Sequence, residues 1–452
     1  MPMFVFRLLY SILPALLLAH GLQAHAQLRL HGSNTIGEEL APALVAGWLQ
    51  AEGYSDIETT IHAPLERTIT GTNAAGQTRS VEIHAHGSST SFSGLLNGTA
   101  DMGMSSRRIR PTEVRELDFL GQLDRPSNEF VVGIDGLAVI VHPSNPIRAM
   151  SVGQIRAVFS GRYDNWRQLG GPDAPIRRYA RDEQSGTWDS FKSMVLQGAS
   201  LTTAERFESS SELSDRVAGD PNGIGFIGLP YVRSARALAV SAGGEAVLPE
   251  RFSSATEDYP LSRRLYLYVP EREIGGHGGA LARFAISAQG QQIVDRIGFV
   301  GQAVELQRVA IPGSAPDDYR RFVDGALRAS MNFRFDTGRA ALDSKSQRDL
   351  ERLVTFLKAP DNRHLEVLLM GFADPSETSP YFSMTLSSDR VDYVAVLLNR
   401  SGIPVRRARG FGDALPLAEG TGESSTAKNR RVEVWIRPAA RASSGTGISV
   451  AP

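Results

Sequence analysis

The chain contains no cysteine. That excludes disulfides, thiolate metal sites, a cysteine nucleophile and lipidation of an N-terminal cysteine, and it suits an oxidising compartment. Net charge is missing as well. Lys+Arg 48 against Asp+Glu 49 leaves −1 at pH 7, so bulk electrostatics points to neither nucleic acid nor an anionic membrane surface. Beyond the N-terminal segment no apolar run is long enough to span a bilayer. No series of alternating strands of the outer-membrane barrel kind occurs, and no Gly-x-Ser-x-Gly nucleophile elbow is found.

What is present begins with a leader. Arg7 precedes a short apolar run, Leu8 to Leu18, broken by Pro14, and Ala24-His25-Ala26 forms a small-x-small cleavage site. This pattern predicts a secretory signal peptide over residues 1–26, a mature chain from Gln27 and a periplasmic location. The 452 residues exceed one ordinary core, so two or three domains are expected.

Three Gly/Ser/Thr clusters each stand ahead of a helix-like stretch: Gly32-Ser33-Asn34-Thr35, Gly87-Ser88-Ser89-Thr90-Ser91, and Arg181-Asp182-Glu183-Gln184-Ser185-Gly186-Thr187. A helix start offers unpaired N–H groups and partial positive charge, glycine lets backbone approach a ligand, and hydroxyls add donors. Three such clusters, one with an arginine, predict a cage for a small oxyanion. Strand-like stretches precede them (Leu28–His31, Val81–Ala85, Ile176–Tyr179) and helix-like stretches follow (Glu38–Leu49, Phe92–Leu96, Trp188–Val195). This alternation is α/β logic. Leu137–Val141 reads as a buried strand, Gly223–Leu229 as a strand returning between lobes, and Ala280–Val300 as a closing apolar helix.

A Pro/Gly/Ser/Asp-rich linker then gives way to a second pattern. Met331–Phe335, Leu365–Gly371 and Val432–Ile436 read as strands, and Ser344–Leu357 and Leu386–Leu398 as helices. The expected organisation is a two-lobed domain over 27–310, a linker over 311–328, a small βαβαβ domain over 329–438 and an Ala/Ser/Gly-rich tail over 439–452.

In the first region, Gly32-Ser-Asn-Thr-Ile-Gly37, Gly87-Ser-Ser-Thr-Ser-Phe92, Gly98-Thr-Ala-Asp-Met-Gly-Met-Ser-Ser-Arg107, Arg181-Asp-Glu-Gln-Ser-Gly-Thr187 and Asn222-Gly-Ile-Gly-Phe-Ile-Gly-Leu-Pro230 resemble, in order, the phosphate-binding receptors of Pst-type ABC importers. The resemblance implies a type II-like periplasmic binding protein, two α/β lobes closing on a dehydrated phosphate. It implies ligand contacts at Thr35, Ile36, Ser88, Ser106, Arg181, Ser185, Gly186 and Thr187, and an inner-membrane ABC permease as a partner. Arg181 would offer a planar fork of donors. One departure bears on selectivity: the family's usual aspartate, which accepts the proton of hydrogen phosphate, is replaced by Ser106.

In the second region, Met331-Asn-Phe-Arg-Phe335, Gly371-Phe-Ala-Asp374, Leu386-Ser-Ser-Asp-Arg390, Gly410-Phe-Gly412 and Asn429-Arg-Arg-Val-Glu-Val434 resemble the peptidoglycan-binding domain of the OmpA C-terminal family. The resemblance implies that Asp374 and Arg390 grip the zwitterionic diaminopimelate of peptidoglycan, both from a rim outside the core. The intervening loop, Pro375 to Ser383, is one residue longer than in the family pattern and lacks its usual Gly and Asn. Arg406, Arg407, Arg409, Arg430 and Arg431 offer added attraction to wall polymers.

No catalytic residue, cofactor or metal is expected. His84 and His86 alternate on one strand face, but local spacing supplies no third ligand, so they read as ordinary strand histidines. The leading reading is a receptor for phosphate or a related oxyanion, tethered to peptidoglycan. Two others stand beside it: a structural or sensory envelope protein with a repurposed binding domain, and a periplasmic phosphoryl-transfer enzyme.

Overall fold

The computed structural model describes residues 26–183, 185–335, 341–377, 379–419 and 423–439. The expected signal peptide, save Ala26, and the tail beyond Ala439 lie outside them.

The first strand, β1 (Ala26–Gly32), turns Leu28 and Leu30 inward and Arg29 and His31 to the other face. The helix α1 (Asn34–Gly37) is a single turn. In α2 (Leu40–Ala51) the buried residues Leu40, Ala41, Leu44, Val45, Trp48 and Leu49 recur at helical spacing and cover the sheet. An antiparallel hairpin follows, β2 (Tyr54–Ala63) and β3 (Glu66–Asn73), and pairs onward with β4 (Thr78–His84). Parallel pairing joins β4 to β1 and β1 to β5 (Met102–Ser105), with α3 (Ser88–Leu96) crossing between β4 and β5. The hairpin has no counterpart in the sequence reading. Most of β2 is exposed, so it lacks the apolar alternation that marks a half-buried strand.

The long strand β6 (Glu129–Val141) is buried at every position and runs through both lobes. Its first half pairs with Ser262–Tyr268 in the first lobe, and its second half with Gly223–Gly228 in the second. The strand expected to return between the lobes therefore lies inside the second lobe, and β6 makes the crossing. The lobes have separate cores, one around Trp48, Val81 and Leu265, the other around Phe159, Phe191 and Phe226. The helix expected over Ala280–Val300 is two, His277–Ala285 and Ala288–Ile297. Ser287 divides them because its Oγ caps the second, accepting from the Gly290 N–H at 3.2 Å.

The C-terminal domain is a five-stranded sheet in the order Leu306–Gln307, Leu327–Arg334, Arg431–Pro438, Leu365–Gly371, Val405–Gly410, with helices Ser344–Lys358 and Pro380–Arg400. Its core holds Phe333, Leu353, Leu369, Val394 and Val434. The span expected as a linker carries the helix Asp317–Val323, in which the Tyr319 hydroxyl donates to Glu433 at 2.7 Å. The edge strand Leu306–Gln307 also belongs to this sheet.

The two domains meet through buried ion pairs. Glu257 accepts from Arg264 (Nη2 at 3.0 Å) and from Arg334 Nε at 2.7 Å. Arg264 also reaches Asp343 at 2.6 Å, and Arg328 reaches Asp258 at 2.6 Å. Glu257 sits at φ 59, a left-handed backbone uncommon for a residue other than glycine, and is held by these partners. The C-terminal domain touches both lobes. Arg348 donates to the Glu129 carbonyl at 2.6 Å in the first, and the Glu419 N–H to the Ala242 carbonyl at 2.7 Å in the second.

Burial alone would raise these carboxyls, but neighbouring guanidiniums outweigh it: Arg264 and Arg334 hold Glu257 well down, Arg264 holds Asp343 down, and Arg328 and Arg431 hold Glu433 at about 2. Folded values below unfolded ones contribute stability above the ordinary carboxylate range, and this is lost as pH falls through the folded values. The contribution of these carboxyls to thermal stability should therefore be complete at neutral pH and be lost steeply between the ordinary glutamate value of 4.5 and about 2. Glu257→Ala should cost about 3–5 kcal/mol, because it removes the buried carboxylate that Arg264 and Arg334 share. A melting temperature unchanged at pH 7 would show that the interface does not depend on this pair.

Candidate functional site

The strand ends deliver the three clusters to one place. Gly32 closes β1 at φ 142, and a Cβ there would stand 1.8 Å from the Met104 carbonyl oxygen, so only glycine lets the chain turn over β5. The Gly87 N–H donates to the Gly32 carbonyl at 2.8 Å and ties the first two clusters together. From the second lobe, Arg181 ends its strand, and Ser185 caps the helix Gly186–Phe191 by accepting from the Trp188 N–H at 3.0 Å. The lobes meet at Gly186, where a Cβ would lie 2.4 Å from the Thr35 nitrogen. Any larger residue would hold the lobes apart.

Thr35, Arg181, Gly186 and Thr187 line one cavity of about 260 Å³, with Glu38, Asp135 and Tyr231. Burial pushes the Glu38 carboxyl up, against the opposing charge of Arg181. Arg181 is 7% exposed, with donors to the Phe207 carbonyl at 3.3 Å and to the Ser210 hydroxyl. Ser106 faces a neighbouring cavity of about 580 Å³ instead. The Ser88 hydroxyl lies 3.1 Å from that of Ser106 and accepts its N–H at 3.0 Å. Ile36 is fully buried, and its N–H is engaged by the Ser33 carbonyl at 3.2 Å. Ser185 acts as a helix cap, its hydroxyl turned to the backbone.

Between the two cavities stands Arg263, which the sequence reading missed. Its side chain is 10% exposed. It donates from Nε to Asp135 at 3.2 Å, from Nη1 to the Ser106 hydroxyl at 3.0 Å, and from Nη2 to the Thr35 hydroxyl at 2.5 Å and the Gly186 carbonyl at 3.1 Å. Burial pushes this guanidinium down and Asp135 opposes the shift. Arginine nonetheless stays charged, so the cleft holds a desolvated cation with one carboxylate partner among the described residues, Asp135. An entering oxyanion would meet two guanidiniums, Arg181 and Arg263, and two hydroxyls. The only sequence signal was the pair Arg263-Arg264. On a strand their side chains point to opposite faces, one into this cleft and one into the domain interface.

In the C-terminal domain Asp374 and Arg390 come to the same corner, but not to an exposed rim. They are 2% and 9% exposed. Asp374 accepts from Asn429 Nδ2 at 2.7 Å and from the Ser376 N–H at 2.8 Å. The guanidinium of Arg390 is filled bidentately by Glu377, at 2.8 and 2.7 Å. Glu377 belongs to the rebuilt loop, and its carboxylate also accepts the Asp374 N–H at 3.1 Å. The five arginines named for wall polymers divide: Arg406, Arg407 and Arg409 are exposed, whereas Arg430 and Arg431 are buried, Arg431 against Glu433 at 2.9 Å.

Residues 46–289 match the family model described as PBP superfamily domain, and residues 334–430 match the OmpA family. Phosphate-binding protein PstS of Pseudomonas aeruginosa is 28% identical over 250 residues, covering 51% of this chain and 77% of that protein. Phosphate-binding protein PstS of Borreliella burgdorferi is 26% identical over 252 residues, covering 54% and 87%. Among solved structures, a possible phosphate binding protein from Planctomyces limnophilus shares the fold at TM-score 0.50 and 22% identity, over 61% of this chain and 93% of that one. By a match that spans more than half its length, and a second one behind it, this chain belongs to the PBP superfamily and carries an OmpA family domain after its two lobes.

Proposed function

We propose that the protein is a periplasmic, non-enzymatic receptor for inorganic phosphate, held near the cell wall by its C-terminal domain. The observation that carries the reading is the convergence of Thr35, Arg181, Gly186 and Thr187 on one cavity, beside a second buried guanidinium whose hydroxyl partners are themselves expected ligands. Both relatives cited above are named as phosphate-binding proteins, not enzymes. The cleft chemistry agrees, since a desolvated Arg263 gains more from an anion oxygen than from the neutral Thr35 hydroxyl. On binding, its Nη2 would exchange Thr35 and Gly186 for phosphate, and the Thr35 hydroxyl would be freed to donate as well.

Asp135 supplies what Ser106 lacks. It lines the same cavity and accepts from Arg263 through one oxygen. Its other oxygen is our candidate acceptor for the proton of hydrogen phosphate, which sulfate does not carry. Delivery to an inner-membrane permease, which the resemblance to Pst-type receptors implies, is part of the proposal.

The wall tether rests on the OmpA family match and on Asp374 and Arg390 both meeting Glu377 in one corner. Glu377 occupies the arginine fork as a peptide carboxylate would. A wall peptide must displace it, so the domain should bind more weakly than one with an open fork.

Calorimetry of the mature protein should give saturable phosphate binding. Arg181→Ala and Arg263→Ala should each weaken it by about 2–5 kcal/mol, or roughly one and a half to three and a half decades. A wild type that does not saturate at millimolar phosphate would sink the receptor reading.

Excess sulfate should compete measurably, because the guanidiniums and hydroxyls of the cleft can donate to any tetrahedral dianion, and Asp135→Asn should strengthen that competition about tenfold. Equal competition in both proteins would remove Asp135 as the acceptor.

Glu377→Ala should increase co-sedimentation with diaminopimelate-type peptidoglycan by freeing Arg390, while Arg390→Ala should abolish it. If neither changes the bound fraction, the wall is gripped elsewhere.

A further inference from the structure

We propose that Glu66, His84 and His86 form a binding site for a divalent transition metal of the zinc class, on the edge of the first lobe. His84 is the last residue of β4 and His86 follows it at a bend, with the two rings 6.5 Å apart. What local spacing could not supply comes from the neighbouring strand. The antiparallel register of β3 and β4 sets Glu66 directly opposite His84. One ligand atom from each of the three residues lies within 4.8 Å of the other two. The Glu66 carboxylate is 2.8 Å from His86 Nε2 and 3.5 Å from His84 Nδ1. Ligand atoms around tetrahedral zinc stand roughly 3.4 Å apart, so small side-chain rotations bring all three into place without moving the backbone.

The surroundings fit a metal ligand better than an idle histidine. The second nitrogen of His84, Nε2, faces the Glu82 carboxylate at 3.7 Å. A carboxylate behind the far nitrogen is the arrangement that fixes the tautomer and raises the basicity of a ligating imidazole. The His31 ring packs on the other side of His84, with centroids 4.5 Å apart, and limits its rotation. Two imidazoles and one carboxylate suit zinc, copper or nickel over calcium or magnesium, and three protein ligands leave a fourth position for water or an exogenous donor. His31 and His86 immediately precede Gly32 and Gly87, whose backbone hydrogen bond joins the two cleft loops. The metal would thus sit behind the cleft, without sharing a residue with it.

The test uses zinc alone, so its outcome does not depend on whether the cleft binds phosphate. The mature chain from Gln27, with any purification tag removed, is titrated calorimetrically with zinc chloride in a phosphate-free, non-chelating buffer. One saturable equivalent is expected. His86→Ala, His84→Gln and Glu66→Gln should each weaken it at least about tenfold, while His142→Ala leaves it unchanged. Circular dichroism of each variant checks that the strand edge still folds; His86 is exposed, so its variant stands as the decisive one if His84→Gln does not. No saturable binding by the wild type up to about 1 mM zinc, or binding by His86→Ala and Glu66→Gln as tight as wild type, would overturn the site.

Discussion

The buried guanidinium of Arg263 is the constraint around which the first domain is arranged. Taking a cation out of water costs several kcal/mol unless its protons find acceptors. Those acceptors come from four places in the chain: Thr35, Ser106, Asp135 and Gly186. They lie on both lobes, so the same cation that gives the cleft its affinity for anions also holds the lobes together. This agrees with the close packing of Gly186 on Thr35. It also explains how an anion can compete for the cleft, since most of the arginine's present partners are neutral.

One residue further along the same strand, the logic repeats at the domain interface. Arg264 points to the opposite face and pairs with Glu257 and Asp343, and Arg334 joins from the C-terminal sheet. Arginine dominates these contacts because its planar fork can serve two acceptors at once and remains charged when buried. The C-terminal domain is therefore seated on the binding domain and touches both lobes. Any opening of the cleft has to move against the Arg348 contact on one lobe or the Glu419 contact on the other.

The corner around Arg390 follows the same rule in miniature. A guanidinium at 9% exposure must be paired, and here the chain pairs it with its own Glu377. Glu377 reaches the fork from the loop between Asp374 and the helix Pro380–Arg400.

Much of this was legible in the sequence. The three Gly/Ser/Thr clusters, the strand–turn–helix alternation and the helical pattern over Ser344–Leu357 are local patterns, and local patterns report on local backbone and burial. Leu365–Gly371 matched its strand residue for residue because a short, mostly apolar run ended by a glycine has the length of a buried strand rather than of a helix. What the sequence by itself could not determine was which distant groups share a space. The polar hairpin of β2 and β3 carries no apolar period, so neither it nor the Glu66–His84 register was visible. Arg263, Asp135 and Glu377 look like ordinary charged residues, and only the crossing of β6 between lobes, the docking of two domains and the path of one loop decide their partners. Sequence spacing fixes the face on which a side chain lies; the pairing of strands and the packing of lobes fix what it meets, because those contacts join residues that are far apart along the chain.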